Sequence, residues 1–126
     1  QPMQSALYLA SDAGTDGRLT VADLYQLRLR SRLVVLSACE TGLGAIASGD
    51  DVVGLVRGFL YAGAGAIVSS LWQVDDVATA ELMTAFYAAL PTQNSRDALR
   101  QAQLATLKQY PHPFYWAAFF VTGASQ

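Results

Sequence analysis

Apolar residues recur along this chain with two different periods, and the changes from one to the other predict its elements. Ala6 to Ala10 reads as a short strand, and Ser11 to Gly17 is dense in turn residues. Thr20 is placed to cap a following helix, with Asp23 in the first turn, where a carboxylate complements the helix dipole. Leu33 to Ala38, with its run Leu33-Val34-Val35-Leu36, has the character of a strand buried on both faces, and a glycine-rich loop continues it. Asp50 and Asp51 open a helix whose apolar positions Val52, Val53, Val56, Phe59 and Leu60 recur at helical spacing, and Gly63 ends it. Ala66 to Leu71 is a second buried strand. A helix from Val77 to Leu90 carries Met83, Phe86, Tyr87 and Leu90 on one face, with Pro91 after it. Another runs from Ser95 through Leu99, Ala102 and Leu107 until Pro111, and Phe114 to Thr122 closes the chain as a last strand.

The succession strand, helix, strand over residues 33–71 implies a right-handed crossover and hence a parallel pair, so the fold class is α/β. At 126 residues the chain forms one domain at most, over 1–126, able to bury roughly two thirds of its unfolded surface. Its 8 basic and 10 acidic residues, with a pI near 5.1, leave no electrostatic footprint for nucleic acid. It is 52% apolar and 14% charged, against about 25% charged in typical soluble domains, which suggests an apolar face with no cover inside the chain. A single cysteine forms no internal disulfide, so a reducing cytoplasm is the expected setting. No apolar run is long enough to span a membrane and no signal peptide is present, so no membrane partner is expected. The chain starts with Gln1 rather than methionine, as truncation or processing would produce.

The single cysteine, Cys39, follows the end of the apolar run, where open α/β sheets build their ligand sites. A cysteine attacks as its thiolate and needs a lowered pKa or an adjacent base; the alternative is an inert, buried thiol. Gly42, among the glycines behind it, would let a substrate backbone approach closely. Asp75 and Asp76 stand just past the neighbouring strand, near the same mouth, and either cap the next helix or line a substrate pocket. His112, the one histidine, lies between two prolines and reads as a structural imidazole. Glu40 reads as a solvated or loop-fixing carboxylate, and Trp72, Trp116 and Tyr115 as core or pocket walls. The loop Thr41 to Gly49 lacks the P-loop lysine and the dinucleotide glycine pattern, and one histidine with one cysteine makes no metal cluster, so no cofactor and no metal are expected.

The run Val34-Val35-Leu36-Ser37-Ala38-Cys39-Glu40-Thr41-Gly42 resembles the signature of CHAT domains, caspase- and separase-like proteins often found behind tetratricopeptide repeats. Further landmarks of that family follow in order: Asp16-Gly17-Arg18-Leu19-Thr20, the stretch Gly54 to Ala64, Ser70-Leu71-Trp72-Gln73-Val74-Asp75-Asp76, and His112-Pro113-Phe114-Tyr115-Trp116. The resemblance implies a three-layer caspase-like sandwich with a mainly parallel sheet, here without its N-terminal strands, and a cysteine endopeptidase with Cys39 as nucleophile. It also implies a base in a His-Gly motif upstream of the cysteine. No histidine precedes Cys39, so the chain reads as the C-terminal part of such a domain, inactive alone and short of one oxyanion donor. Separases carry a similar Trp-x-Val-x-Asp stretch whose last aspartate reads the arginine before the cut; Asp76 matches that aspartate and Asp75 does not. The expected partners are a protein or peptide substrate and either a second copy or a companion N-terminal segment. The rival reading is a non-catalytic interaction module.

Overall fold

The computed structural model describes residues 6–8, 13–14, 17–36 and 49–123. Strand β1 (Ala6–Tyr8) pairs antiparallel with β2 (Arg18–Thr20) as a separate ribbon. Helix α1 (Val21–Leu24) starts where the sequence places it. Thr20 Oγ1 accepts the Asp23 N–H at 3.0 Å while Asp23 Oδ2 accepts the Thr20 N–H at 2.9 Å, a reciprocal capping box. Those bonds hold the Asp23 carboxyl below its ordinary pKa of 3.8.

The main sheet has the order β3-β4-β5, formed by Leu33–Leu36, Ala66–Ser70 and Phe119–Gly123. β3 and β4 run parallel, with Leu36 opposite Ser69, and β5 returns antiparallel, with Phe120 opposite Ser69. Among the described residues the sheet is therefore mixed, not mainly parallel. All five residues of β4 are at most 3% exposed, as both neighbours and both helical layers require. β3, expected to be buried on both faces, is half-buried throughout, because among the described residues it is paired along one edge only.

Helix α2 (Gly49–Ala62) crosses from β3 to β4 and covers one face. Leu55, Val56 and Phe59 pack there with Ile67 and with Val21 and Leu24 of α1. The other face carries α3 (Asp76–Ala89) and α4 (Ser95–Gln109), packed on each other and on Val68 and Phe119. The buried stripe of α3 is Ala78, Leu82, Phe86 and Ala89, rotated from the expected face. Its alanines let α4 approach through Ala98 and Ala102, and Tyr87 is left 52% exposed. The expected last strand begins five residues late, because a 3-10 turn (Pro113–Tyr115) takes up its first part. No helix among the described residues is long and apolar enough to cross a membrane.

Two local devices fix these elements. Asp75 caps α3, its Oδ2 accepting the Ala78 N–H at 3.0 Å. Gly63, at φ +117°, ends α2 while the Ala64 N–H reaches Phe59 O at 3.0 Å and the Gly63 N–H reaches Leu60 O at 3.1 Å, a Schellman motif. A side chain at Gly63 would also collide with the Leu29 carbonyl. Gly63→Ala is therefore expected to lower stability by more than about 1 kcal/mol in urea unfolding, since strain and collision add. Asp75→Ala is expected to lose about 1 kcal/mol through the missing cap, and Asp75→Asn to keep most of it, because the amide oxygen also accepts.

Candidate active site

The parallel register of β3 and β4 brings the two strands to the same end of the sheet, where open α/β folds gather chemistry. β3 leads there toward Cys39, Glu40 and Gly42, which lie outside the described residues. β4 continues into Leu71, whose N–H donates to Ala118 O at 3.0 Å, and then to Trp72 and Val74. Val74 is buried and pins the segment into the core, so that Asp75 and Asp76 emerge at the mouth as α3 begins. The two acids, adjacent in sequence, are held differently. Asp75 accepts the Ala78 N–H through its side chain and the Thr79 N–H, at 2.9 Å, through its carbonyl. Asp76 is exposed and its carboxylate makes no hydrogen bond or ion pair among the described residues, so it is open to a ligand.

An aromatic wall stands beside these acids. Trp72 is 37% exposed, which removes it from the core; its Nε1 donates to Phe114 O at 3.0 Å and its ring stacks on Phe114 at 6.4 Å between centroids. The stretch that presents Phe114 is held from two sides. His112 Nδ1 accepts the Phe114 N–H at 3.1 Å, capping the 3-10 turn. From α4, Gln103 Nε2 donates to Trp116 O at 2.9 Å and to Phe119 O at 3.0 Å. Trp116 is half-buried and donates to Pro111 O at 3.5 Å, and Tyr115 packs on Tyr110 and Phe114. Desolvation raises the Tyr110 phenol above its ordinary pKa, with Glu81 and then Asp75 adding negative charge nearby.

His112 is thus a structural imidazole, as expected, and it acts by capping the 3-10 turn. In the neutral ring the nitrogen that lacks hydrogen is the acceptor, and here that nitrogen already holds the Phe114 N–H. The geometry does not present it as a base.

Trp72, Asp75 and Asp76 are therefore brought together at one end of the sheet, with His112 held in the turn behind the wall. No group of three or more metal-binding side chains exists among the described residues. Sequence reasoning missed Phe114 as Trp72's partner and Gln103 as the clamp on the turn. The second carried a signal, since Gln103 follows Leu99 by four positions on the buried side of α4.

Comparison with known proteins identifies the family. The CHAT domain family profile matches residues 1–124. Tetratricopeptide repeat protein 28 of Mus musculus is 36% identical over 111 residues, which is 84% of this chain and 4% of that protein. Its Homo sapiens counterpart is 35% identical over 109 residues, with the same coverage of 84% and 4%. The chain thus spans about 4% of the length of these curated relatives. With a mixed sheet between helices, the Trp-x-Val-x-Asp segment at the carboxyl end of its parallel pair and a profile match over nearly its whole length, the chain belongs to the CHAT domain family.

Proposed function

We propose that this chain is the C-terminal part of a caspase-like CHAT domain, a three-layer sandwich that in complete form acts as a cysteine endopeptidase cutting after a basic residue. The observation that supports this reading is the Asp76 carboxylate, without a partner among the described residues, at the carboxyl end of the parallel β3–β4 pair. Cys39 attacks the carbonyl carbon, and a histidine from a preceding segment accepts the thiol proton and returns it to the leaving amine. The Cys39 backbone N–H and the glycine after that histidine hold the oxyanion. Gly42 leaves room for the substrate backbone. Asp76 takes the guanidinium of the residue before the cut, Trp72 walls the pocket, and Asp75 holds α3 in place.

The non-catalytic alternative is favoured by one specific observation. Leu71, Trp72, Val77 and Phe114 are all substantially exposed around the mouth, which suits a protein-binding face as well as a substrate cleft. The tetratricopeptide repeats in the relatives' name fit either reading, since both engage proteins.

Three outcomes are expected. The 126-residue chain shows no peptide turnover, whereas the protein extended upstream through the family's histidine cleaves after Arg, then Lys, and loses activity on Cys39→Ala. In that protein Asp76→Ala lowers turnover of arginine substrates at least tenfold, in line with about 1.5–3 kcal/mol for a charged hydrogen bond, while stability falls only by the about 0.3–1 kcal/mol of a lost first-turn charge. Retained arginine preference in that variant would remove Asp76 from the site, and turnover by the chain alone would return His112 to consideration. The half-buried edge of β3 leads to the third outcome: the chain by itself forms dimers or larger species in light scattering, and adding the preceding segment reduces them. A monomer at high concentration would show the edge to be self-protected.

A further inference from the structure

At the opposite end of the sheet, the segment entering β3 reads Leu27-Arg28-Leu29-Arg30-Ser31-Arg32, so three of the chain's 8 basic residues fall within five positions. Leu29 packs inward against the α1–α2 layer, while Arg28, Arg30 and Arg32 are all exposed. None of the three forms an ion pair among the described residues. Their backbone is nevertheless fixed. The Leu29 N–H donates to Ala62 O, Ser31 O accepts the Gly65 N–H and Arg32 O accepts the Ala66 N–H, both at 2.9 Å. Gly65 permits this approach, because a Cβ there would lie 2.8 Å from the Arg32 carbonyl oxygen.

Arg32 also borders a groove of about 370 Å³ whose other walls include Leu33, Leu90, Pro91, Thr92 and Gln93. Thr92 Oγ1 already donates to Ala89 O, and Gln93 Nε2 to Gln101 Oε1. The Arg32 guanidinium supplies the charged donor of this groove, and Ser95 Oγ, buried on the same wall without a partner among the described residues, is a second polar group that faces a ligand.

We propose that Arg28, Arg30 and Arg32, together with the groove that Arg32 borders, form a docking surface for an acidic segment of a partner protein. Guanidinium groups take carboxylates through paired hydrogen bonds, and a preordered ribbon loses little entropy on binding. The apolar groove walls select a peptide, whose side chains can fill them, over a phosphate backbone or a lipid surface. This surface lies at the amino end of β3 and makes no use of the cysteine mouth, so it stands whether or not the domain is catalytic.

Fluorescence anisotropy with a labelled peptide of alternating Glu and Ser tests this. The full chain is expected to bind it, to ignore the same peptide with Gln for Glu, and to lose affinity as salt rises. Changing Arg28, Arg30 and Arg32 together to Glu is expected to weaken binding about eightfold or more, from three contacts each contributing about a factor of two to five. Single Arg→Gln variants, with circular dichroism as a folding check, give smaller losses that a misfolded triple variant cannot mimic. An acidic peptide that fails to bind, or binds unchanged to the variants, overturns the proposal. So does equal or tighter binding of oligothymidylate or anionic phospholipid vesicles through the same arginines.

Discussion

Burial of β4 on both faces is the constraint from which the rest of this architecture follows. Side chains alternate across a strand, so a fully buried central strand needs apolar cover on two sides. Ile67 reaches one helical layer and Val68 the other, each removal from water contributing about 1.5–3 kcal/mol. Covering both faces from one short chain requires a crossover, and α2 provides it between parallel strands. Parallel pairing then sends the carboxyl ends of β3 and β4 to one end of the sheet and their amino ends to the other. The acids and aromatic wall gather at the first end and the arginine ribbon enters at the second.

The elements written in simple periods were legible from sequence. α2, α3 and α4 begin and end within a residue or two of their expected bounds, because capping side chains, Gly63 and the prolines mark them. Thr20 and Asp23 form the cap that their spacing suggested. Less legible was anything fixed by a distant partner. β2 carries only three residues and no period of its own, so its pairing with β1 could not be read. The buried stripe of α3 was misplaced because helical spacing alone does not say which of two overlapping faces meets α4; the small Ala78 and Ala89 decide it. The start of β5 was blurred by Phe114, Tyr115 and Trp116, which have strand-like character but sit in a turn held by His112 and Gln103.

The candidate site divides in the same way. The position of Asp75 and Asp76 past a buried strand was evident from order along the chain, but the difference between them required geometry. One carboxylate is committed to the Ala78 N–H and its neighbour is not. Trp72 was read as a core or pocket wall, and its exposure leaves the second. The low charge content suggested an apolar face without cover. Among the described residues its counterparts include the half-buried β3 edge and the exposed group Leu71, Trp72, Val77 and Phe114, with Val53, Tyr61, Tyr87 and Leu104 exposed elsewhere, so the apolar surface is scattered and not one broad face.

The two indoles of this chain share an anchorage. Trp72 donates to the Phe114 carbonyl and Trp116 to that of Pro111, so both chromophores are tied to the short stretch between α4 and β5. Intrinsic emission from this protein is consequently a local signal. It reports whether that stretch is seated on the sheet, and it can shift while the alanine-lined seam between α3 and α4 stays intact. Optical melting followed at the tryptophans and melting followed by helix content need not coincide in this fold, and any gap between them would measure how independently the aromatic wall detaches.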